Sequence, residues 1–332
     1  MFKLLFFQFH LNLKVNYFII EIKNNGVKIM VIRKAFNAGG WYESSEKGLR
    51  KSLERYFLDK EFGPGELPKS SSQKKRTILG GISPHAGHRY SACCSAFTYL
   101  KLFEERSPDT MIILGTNHMG YRNYAIMEEG EWETPMGNLK IDTELSEAIL
   151  NTSNIIISDA DAFLKFPPYR QEHNIEIQLP FIKYCAGDND VKILPIKYTT
   201  KDDFNTLDAI STDIANVITS SDKDIVIVAS SDMTHKQPKN YRNPEKDLED
   251  MYERDQAVID AFKEFDPELT YKTALKTSVC GPQTIASLML ICKKIGANKC
   301  TDLKYYTSYQ KQGGSGPCEY SVGYFSGIIS KS

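Results

Sequence analysis

Histidines recur in this chain in short polar motifs at the ends of strand-like segments. His85 lies in "GISPHAGHRY", His118 in "ILGTNHMG" and His235 in "VASSDMTHK", each just after an apolar run typical of a buried strand. Neutral imidazole is a ligand for iron, copper and zinc, and it also serves as a general acid or base. These positions therefore predict a metal or catalytic site, provided that the fold brings the strand ends together.

One cysteine joins this pattern. Cys280 lies in "TSVCGPQTI", immediately before a Gly-Pro pair that favours the start of a helix. Backbone amides at a helix N-terminus lower the pKa of a thiol, so the sequence predicts a Cys280 thiolate, which is a soft metal ligand. A metal ion held by three such ligands would keep an open coordination position for a substrate or dioxygen.

Acidic residues accompany the histidines. Asp232 lies three residues before His235 and with it suits an acid/base role. The segment "RQEHNIEIQLP" places Glu172, His173 and Glu176 at a predicted helix start, where residues 172 and 176 would share one helix face. A structural interpretation also fits: the carboxylates would cap a helix or turn or face solvent, and each histidine would only hydrogen-bond at its strand end.

The elements that must position these motifs alternate between strand and helix. Continuous apolar runs, typical of strands covered on both sides, are "TILGGI", "DTMIILG", "VKILPIKY" and "DIVIVASSD", and the chain closes with two predicted strands at 300–310 and 320–329. The pattern predicts an α/β protein with a largely parallel or mixed central sheet flanked by helices on both faces. In such sheets ligands bind beyond the carboxyl ends of the strands, where the motifs lie.

Composition and charge narrow the classes of function. The chain has 41 Lys and Arg residues against 42 Asp and Glu residues, so no global field would attract nucleic acid or an anionic membrane. No apolar run reaches the roughly 18 residues that cross a bilayer. The seven cysteines include no CxxC pair, which favours reduced thiols. The sequence therefore predicts a cytoplasmic protein, with the nucleus as a further location, and neither nucleic-acid binding nor membrane insertion.

The first 29 residues differ in composition from the rest of the chain. They are rich in Phe, Leu, Ile, Asn and Lys, but polar residues interrupt the apolar stretch and no small-residue cleavage site follows. Met30 opens ordinary globular sequence. We expect residues 1–29 to be a gene-model extension or a disordered tail, with a targeting segment as the other interpretation, and residues 30–332 to form a single α/β domain.

The motifs together resemble the Memo family. Seven of them occur in the family's order between about residues 31 and 327: "NAGGWY", "PHAGHRYSA", "ILGTNHMG", "EHNIEIQLPF", "SSDMTH", "CGPQTIASL" and "YSVGYFSG". The resemblance implies a single Memo-like domain with a fold like that of the class III extradiol dioxygenases. One position departs from the family pattern, because Asn37 stands where the family commonly has the histidine of an "HAG" motif.

The resemblance also implies a site that holds one iron or copper ion. His85, His118 and Cys280 match the metal-binding positions, and His235 matches the acid/base histidine of the dioxygenases, with Asp232 in the same pocket. The further pocket residues are Glu172, His173, Glu176, His88 and Tyr90. In the dioxygenases the third ligand is a carboxylate. A cysteine there changes the charge and softness of the ligand set, which weakens the case for ring cleavage.

Two functions follow as expectations, and the sequence leaves open whether the protein is an enzyme. The first is a Memo-like cytosolic protein whose iron or copper pocket has a redox role, a signalling role or both, with a phosphopeptide or signalling protein as partner. Animal members of the family are associated with receptor-linked cell motility, and His88, Arg89 and Tyr90 near the mouth suit an anionic guest. The alternative is a non-haem metal-dependent dioxygenase or oxidoreductase that acts on a small organic substrate.

Overall fold

The structure, a computed structural model, describes residues 18–23, 26–69, 75–164, 172–200 and 202–332, with side chains from residue 31 onward. Within these ranges the chain forms two sheets, and helices pack around the larger one. The main sheet runs in the order β11 (His235–Lys236), β13 (Ser321–Ser330), β3 (Ile78–Ser83), β10 (Ile225–Ser230), β4 (Thr110–Gly115), β9 (Lys192–Lys197), β5 (Tyr124–Ile126) and β8 (Ile156–Ser158). A further strand, β12 (Lys299–Thr307), also pairs with β13.

The centre of the main sheet is parallel, an antiparallel pair lies on each side of it, and the edge strand β8 is again parallel to β5. β3, β10, β4 and β9 are successive parallel neighbours, whereas β13 is antiparallel to β3 and β5 is antiparallel to β9. Every residue of β10 is buried, as expected for a parallel strand covered on both faces. The predicted α/β class with a largely parallel, mixed sheet is confirmed, and the carboxyl ends of β3, β10 and β4 meet at one edge.

Helices cover both faces of this sheet. They are α1 (Glu46–Leu58), α2 (His88–Glu104), α3 (Thr143–Thr152), α4 (Asp161–Leu164), α5 (Leu179–Ala186), α6 (Phe204–Ser220), α7 (Glu245–Lys263), α8 (Pro267–Ala274), α9 (Pro282–Lys294) and α10 (Ser308–Lys311). Within the described ranges, none of the helices combines the length and apolar character needed to span a bilayer.

Two successive glycines of β3 show how closely helices approach the sheet on its two sides. A Cβ at Gly80 would lie 2.7 Å from Leu288 Cδ1 in α9, and one at Gly81 would lie 2.8 Å from Thr98 Cγ2 in α2. Successive side chains of a strand point to opposite faces, so α2 and α9 lie on opposite sides of β3. Only glycine leaves room for both helices at these distances.

A smaller sheet has the order β1 (Phe18–Lys23), β2 (Gly26–Arg33), β6 (Glu131–Trp132) and β7 (Leu139–Lys140). Residues 1–17, 24 and 25 of the predicted extension 1–29 lie outside the described residues. The described part of that extension forms β1 and the start of β2, so the predicted boundary at Met30 falls within a strand. The division of the chain at residue 30 stays a prediction.

The penultimate strand is shorter than the sequence pattern indicates. Residues 300–310 were expected to be extended, but β12 ends at Thr307 and α10 follows at once. The Thr307 hydroxyl accepts a hydrogen bond from the Gln310 amide, and the Gln310 side chain accepts one from the Thr307 amide. This capping box starts a helix where strand propensity alone would continue the strand.

Candidate metal centre

Three of the predicted site residues follow three neighbouring parallel strands. His85 lies two residues after the end of β3, His118 three residues after β4, and Asp232 two residues after β10. β10 lies between β3 and β4 and is parallel to both, so the three loops leave the sheet at the same edge. The expectation that the motifs meet at a carboxyl edge therefore agrees with the topology.

The imidazoles of His85, His118 and His173 form a cluster that could hold a metal ion. One ring nitrogen of each histidine lies within 4.8 Å of the others. The ring centroids are 5.2 or 5.3 Å apart, and the rings of His118 and His173 are nearly parallel. The sequence predicts His173 only as a pocket residue, and the structure places it directly beside the two histidines that the resemblance assigns as ligands.

Hydrogen bonds fix the orientation of two of these rings. Ser230 Oγ donates its proton to the Asn174 backbone oxygen at 2.7 Å, so it accepts a hydrogen bond from His85 Nδ1, which is 3.0 Å away. Glu172 Oε1 accepts a hydrogen bond from His118 Nδ1 at 3.0 Å. Each ring thus carries a proton on Nδ1, which leaves Nε2 as the ligand atom. His118, whose pKa is raised to about 10, would release its Nε2 proton on binding a metal ion. Histidines that bind metals are usually held in this way.

The charges of the cluster are strongly coupled. Burial lowers the pKa of His118, but hydrogen bonds and charges from Cys280 and Glu172 outweigh burial and raise that pKa to about 10. Burial raises the pKa of Glu172, but the hydrogen bond and charge of His118 lower it to about 2. Burial, together with the charges of the neighbouring histidines, holds the pKa of His85 well below its usual value. A carboxylate anion therefore lies directly behind His118.

Cys280 lies beside His85, immediately before Gly281 and the start of α9. Its Sγ is 3.1 Å from His85 Nε2 and accepts a hydrogen bond from the Asp232 amide at 3.2 Å. The prediction of a lowered thiol pKa is wrong, because burial raises the pKa of Cys280 more than the contact with His118 lowers it. The Gly281 amide, moreover, donates to Ser231 Oγ at 3.0 Å. Burial thus favours the neutral form of the Cys280 thiol.

Asp232 anchors the loop that carries His85. Its Oδ1 accepts hydrogen bonds from the backbone amides of His85 at 2.7 Å and Ala86 at 3.3 Å. Burial raises the pKa of the Asp232 carboxyl to about 7, although both amides lower it. The predicted acid/base role stays a prediction, and the geometry adds a second role, which is to hold His85 in position.

His235 faces the same space from the opposite wall. Its Nδ1 lies 2.6 Å from the Tyr320 hydroxyl, and its Nε2 is buried with no hydrogen-bond partner among the described residues. Burial, reinforced by the charge of His118, lowers the pKa of His235 to about 4. His235 is therefore neutral at physiological pH and could accept a proton.

A cleft of about 860 Å³ opens over the histidine cluster. The predicted residues that line it are His85, His118, His173, Asp232, His235 and Tyr90. Much of the remaining wall is aromatic and consists of Trp41, Tyr309, Tyr320 and Tyr324. The cleft therefore brings aromatic rings and imidazoles together in one wall.

Three predicted pocket residues, Glu172, Glu176 and His88, are not among the residues that line this cleft, and neither is the predicted ligand Cys280. Glu176 is fully buried, lies 2.6 Å from the guanidinium of Arg33, and accepts hydrogen bonds from Tyr42 and Asn37. His88 is also buried, donates a hydrogen bond from Nε2 to a backbone oxygen, and has a pKa lowered to about 4 by burial. Asn37, the departure from the family pattern, supports Glu176 and is not among the residues that line the cleft.

The expectation that Glu172 and Glu176 share a helix face is wrong. The chain turns into helix only with a 3₁₀ turn at Glu176–Gln178, followed by α5. Glu172 therefore lies before the helix and turns toward His118, whereas Glu176 turns toward Arg33 and the small sheet. One carboxylate belongs to the candidate site and the other to the scaffold.

Sequence reasoning missed two aromatic residues of the site. The ring of Trp41 stacks on that of His173 with centroids 4.1 Å apart, and Tyr320 contacts His235. Trp41 lies in the "NAGGWY" motif and Tyr320 begins "YSVGYFSG", so both motifs were noticed but their side chains were given no role. The motifs point to these two positions in the sequence, but only the structure shows that their side chains contact His173 and His235.

The fold and the cluster define a mixed α/β protein with a candidate metal site at the carboxyl edge of its parallel strands. The sequence profile of the Memo-like protein family matches residues 33–328. The chain belongs to the Memo family, and it has the extradiol dioxygenase-like fold of that family. The resemblance found in the motifs is thereby confirmed.

Proteins named as MEMO1 family proteins are similar to this chain over most of its length. One from Desulfurococcus amylolyticus is 36% identical over 299 residues, which cover 88% of this chain and 96% of the relative. One from Thermotoga petrophila is 33% identical over 303 residues, which cover 90% and 99%. One from Methanothermobacter thermautotrophicus is 32% identical over 281 residues, which cover 84% and 94%.

Proposed function

We propose that this Memo-family protein binds a single iron or copper ion at the floor of the cleft, through His85, His118 and Cys280. The observation that carries the proposal is the pair of hydrogen bonds to His85 Nδ1 and His118 Nδ1, because both leave Nε2 available. A set of two imidazoles and one sulfur suits iron or copper better than a hard cation such as Mg²⁺. When bound, such an ion would supply redox chemistry.

His173 is the alternative third ligand. Its ring nitrogen lies within 4.8 Å of the nitrogens of His85 and His118, whereas Cys280 Sγ lies 3.1 Å from His85 Nε2. A sulfur ligand favours copper(I) and iron, and an all-histidine set would also suit zinc. The two sets differ in a measurable way, since a thiolate bound to copper(II) or iron(III) gives a charge-transfer absorption band.

The first experiment is elemental analysis of protein purified without oxygen. We expect about one iron or copper per chain in the wild type and in Cys94→Ser, the matched cysteine control. His118→Ala and the triple variant His85→Ala/His118→Ala/Cys280→Ala should lose the metal. After the bound metal has been oxidised in air, loss of the charge-transfer band in Cys280→Ser but not in His173→Ala would support the sulfur ligand. An absence of metal in the wild type after reconstitution would contradict the proposal.

The same cleft is our proposed binding site for a protein partner in the cytoplasm or nucleus, with a phosphopeptide as the expected guest. A neighbouring pocket of about 460 Å³ shares Trp41, Gly87 and Tyr90 with the cleft and adds Arg89. Arg89 would supply the positive charge that a phosphate needs. Titration with a phosphotyrosine peptide and with its unphosphorylated form tests this. Equal binding of both peptides would contradict a phosphate-reading role.

A second candidate is a metal-dependent dioxygenase, and the unpartnered Nε2 of His235 favours it. That nitrogen belongs to a neutral imidazole lining the cleft, so it could take a proton from a phenolic substrate. Oxygen uptake with a panel of catechols tests the activity. We expect uptake by the wild type to exceed metal-only controls and to fall in His235→Ala, and uptake no greater than those controls would exclude this function.

A further inference from the structure

A second cluster of reactive side chains lies outside the cleft and joins three separate helical elements. Cys93 is in the first half of α2, Lys311 ends α10, and Asp59 follows α1 as its C-terminal cap. Lys311 Nζ lies 3.3 Å from Cys93 Sγ and 3.1 Å from Asp59 Oδ2, and that carboxylate oxygen is 3.6 Å from the sulfur. A thiol, an amine and a carboxylate are thus in mutual contact.

The surroundings hold the lysine against the sulfur while leaving one side open. The Lys311 ammonium lies 4.2 Å from the centre of the Phe62 ring, a cation–π contact that restricts the side chain. Cys93 is 1% exposed, but the side chains of Lys311 and Asp59 are 16% and 27% exposed. The ion pair beside the sulfur is partly exposed, so we expect a small neutral oxidant to reach Cys93 more readily than a bulky thiol reagent.

We propose that Cys93 and Lys311 form an oxidative crosslink, a sulfenamide bond between Sγ and Nζ, with hydrogen peroxide as the oxidant. In the first step peroxide converts the Cys93 thiol to a sulfenic acid and is itself reduced to water. In the second step the Lys311 amine, having lost its ammonium proton to solvent, attacks Sγ with its lone pair. The Sγ–O bond breaks, and the leaving hydroxide takes one N–H proton and departs as a second water.

The crosslink would act on the cleft, because α10 forms part of its wall. Ser308 and Tyr309 of α10 and the next residue after it, Gln312, line the cleft. α2 follows directly on the loop that carries His85. A covalent bond between Cys93 and Lys311 would therefore join α10, which forms part of the wall, to α2, which follows the loop of His85. The proposal stands on the side chains of this cluster and does not depend on the metal.

The pKa of the Cys93 thiol sets the expected rate of crosslinking. Burial raises the pKa of Cys93 to about 11, although the Lys311 ammonium opposes that rise. The thiolate is the species that reacts with peroxide, so crosslinking should be slow at neutral pH and faster at pH 9. The neighbouring Cys94 directs its sulfur to the Lys304 backbone oxygen at 3.7 Å and serves as an internal control.

The test is peptide mass mapping of the full chain after treatment with hydrogen peroxide. Trypsin should release residues 90–101 and 305–331 as one joined species, lighter than the two peptides together by two hydrogens, because cleavage after Lys311 is lost. Dithiothreitol should separate them again. Cys94→Ser should crosslink like the wild type, and Cys93→Ser should not crosslink at all.

Lys311→Arg is the matched variant for the amine. It keeps a cation beside Asp59 and over Phe62 but removes the reactive amine, so Cys93 should proceed to sulfinic acid without any joined peptide. Thermal unfolding of each variant confirms that it is folded. The proposal is overturned if treated wild type is cleaved normally after Lys311 with Cys93 unmodified or present as sulfinic acid, or if the joined species persists in Cys93→Ser.

Discussion

The indole ring of Trp41 stacks on the imidazole of His173, with ring centroids 4.1 Å apart and planes inclined by 28°. The opposite neighbour of His173 is His118, whose ring is 5.2 Å away and inclined by only 8°. Trp41 thus supports the outer end of a three-ring stack that includes two members of the histidine cluster. A residue from the loop before α1 thereby positions side chains from two other loops.

Replacing Trp41 with Ala should weaken metal binding without unfolding the protein. Aromatic contacts of this kind contribute about 0.5–1.5 kcal/mol beyond burial, so we expect up to about a tenfold loss of affinity. Competition with a chromogenic chelator measures it. Trp41→Phe, which keeps a ring against His173, should bind nearly as well as the wild type, and equal affinity in Trp41→Ala and wild type would count against the supporting role.

Replacing Glu172 with Gln should reduce metal affinity more strongly. The carboxylate accepts the Nδ1 proton of His118, and loss of such a partner typically lowers metal affinity by about 10–100-fold. The same chelator competition applies. The control is Glu133→Gln, which removes a carboxylate paired with Lys34 at the surface and should leave affinity unchanged. If both variants bind the metal equally well, Glu172 does not tune His118.

Replacing Glu176 with Gln should destabilise the fold and leave the metal site in place. The change breaks the buried ion pair between Arg33 and Glu176, and removing one partner of such a pair costs about 3–5 kcal/mol. Urea unfolding measures the free-energy change. Glu46→Gln, which removes an exposed partner of Arg50, should cost less than about 1 kcal/mol. If Glu176→Gln also lowers the free energy of unfolding by less than about 1 kcal/mol, the ion pair with Arg33 is not important for stability.

The contribution of Asp255 to stability should fall as the pH rises from about 4 to about 6. Burial raises the pKa of this carboxyl to about 6, above the unfolded value of 3.8, although contacts with Thr234 and Tyr305 oppose the shift. The folded state therefore binds more protons than the unfolded state in this window. The stabilisation from Asp255 is complete below pH 4 and is lost as the pH rises through 6. The contribution is roughly 3 kcal/mol at most.

Asp255→Asn isolates this contribution. The variant should lose the Asp255 share of the pH dependence, so the difference in unfolding free energy between wild type and variant should change between pH 4 and 6.5 and then become constant. Denaturant titrations at a series of pH values measure it. A difference that does not vary with pH would mean that Asp255 has the same pKa in the folded and unfolded chain.

Much of the fold follows from local patterns. The apolar run that becomes β10 is buried along its whole length, and the Gly-Pro after Cys280 starts α9 as expected. The exceptions are set by side-chain hydrogen bonds, which hydrophobic periodicity does not report. The capping box at Thr307 ends β12 early, and the four-residue spacing of Glu172 and Glu176 predicts a helix where the structure begins one only at Glu176.

The site was predictable in position but not in detail. Strand ends placed His85, His118 and Asp232 at one edge, because parallel strands share a direction. The role of His173 depends on how the loop before α5 folds back, which is a tertiary contact. The sign of the pKa shift at Cys280 was missed for the same reason, since burial is a property of the assembled protein and outweighs the local helix terminus.

The strand order has a consequence for the time at which the site can form during synthesis. β10 lies between β3 and β4 in the sheet, but the ribosome makes it more than 100 residues after β4. Neighbouring strands are about 4.8 Å apart, so β3 and β4 reach their final separation only when β10 has been inserted between them. A nascent chain that ends before residue 225 therefore contains His85, His118 and His173 but cannot yet hold them in their final arrangement. The candidate metal site can therefore form only after the chain has been translated past β10.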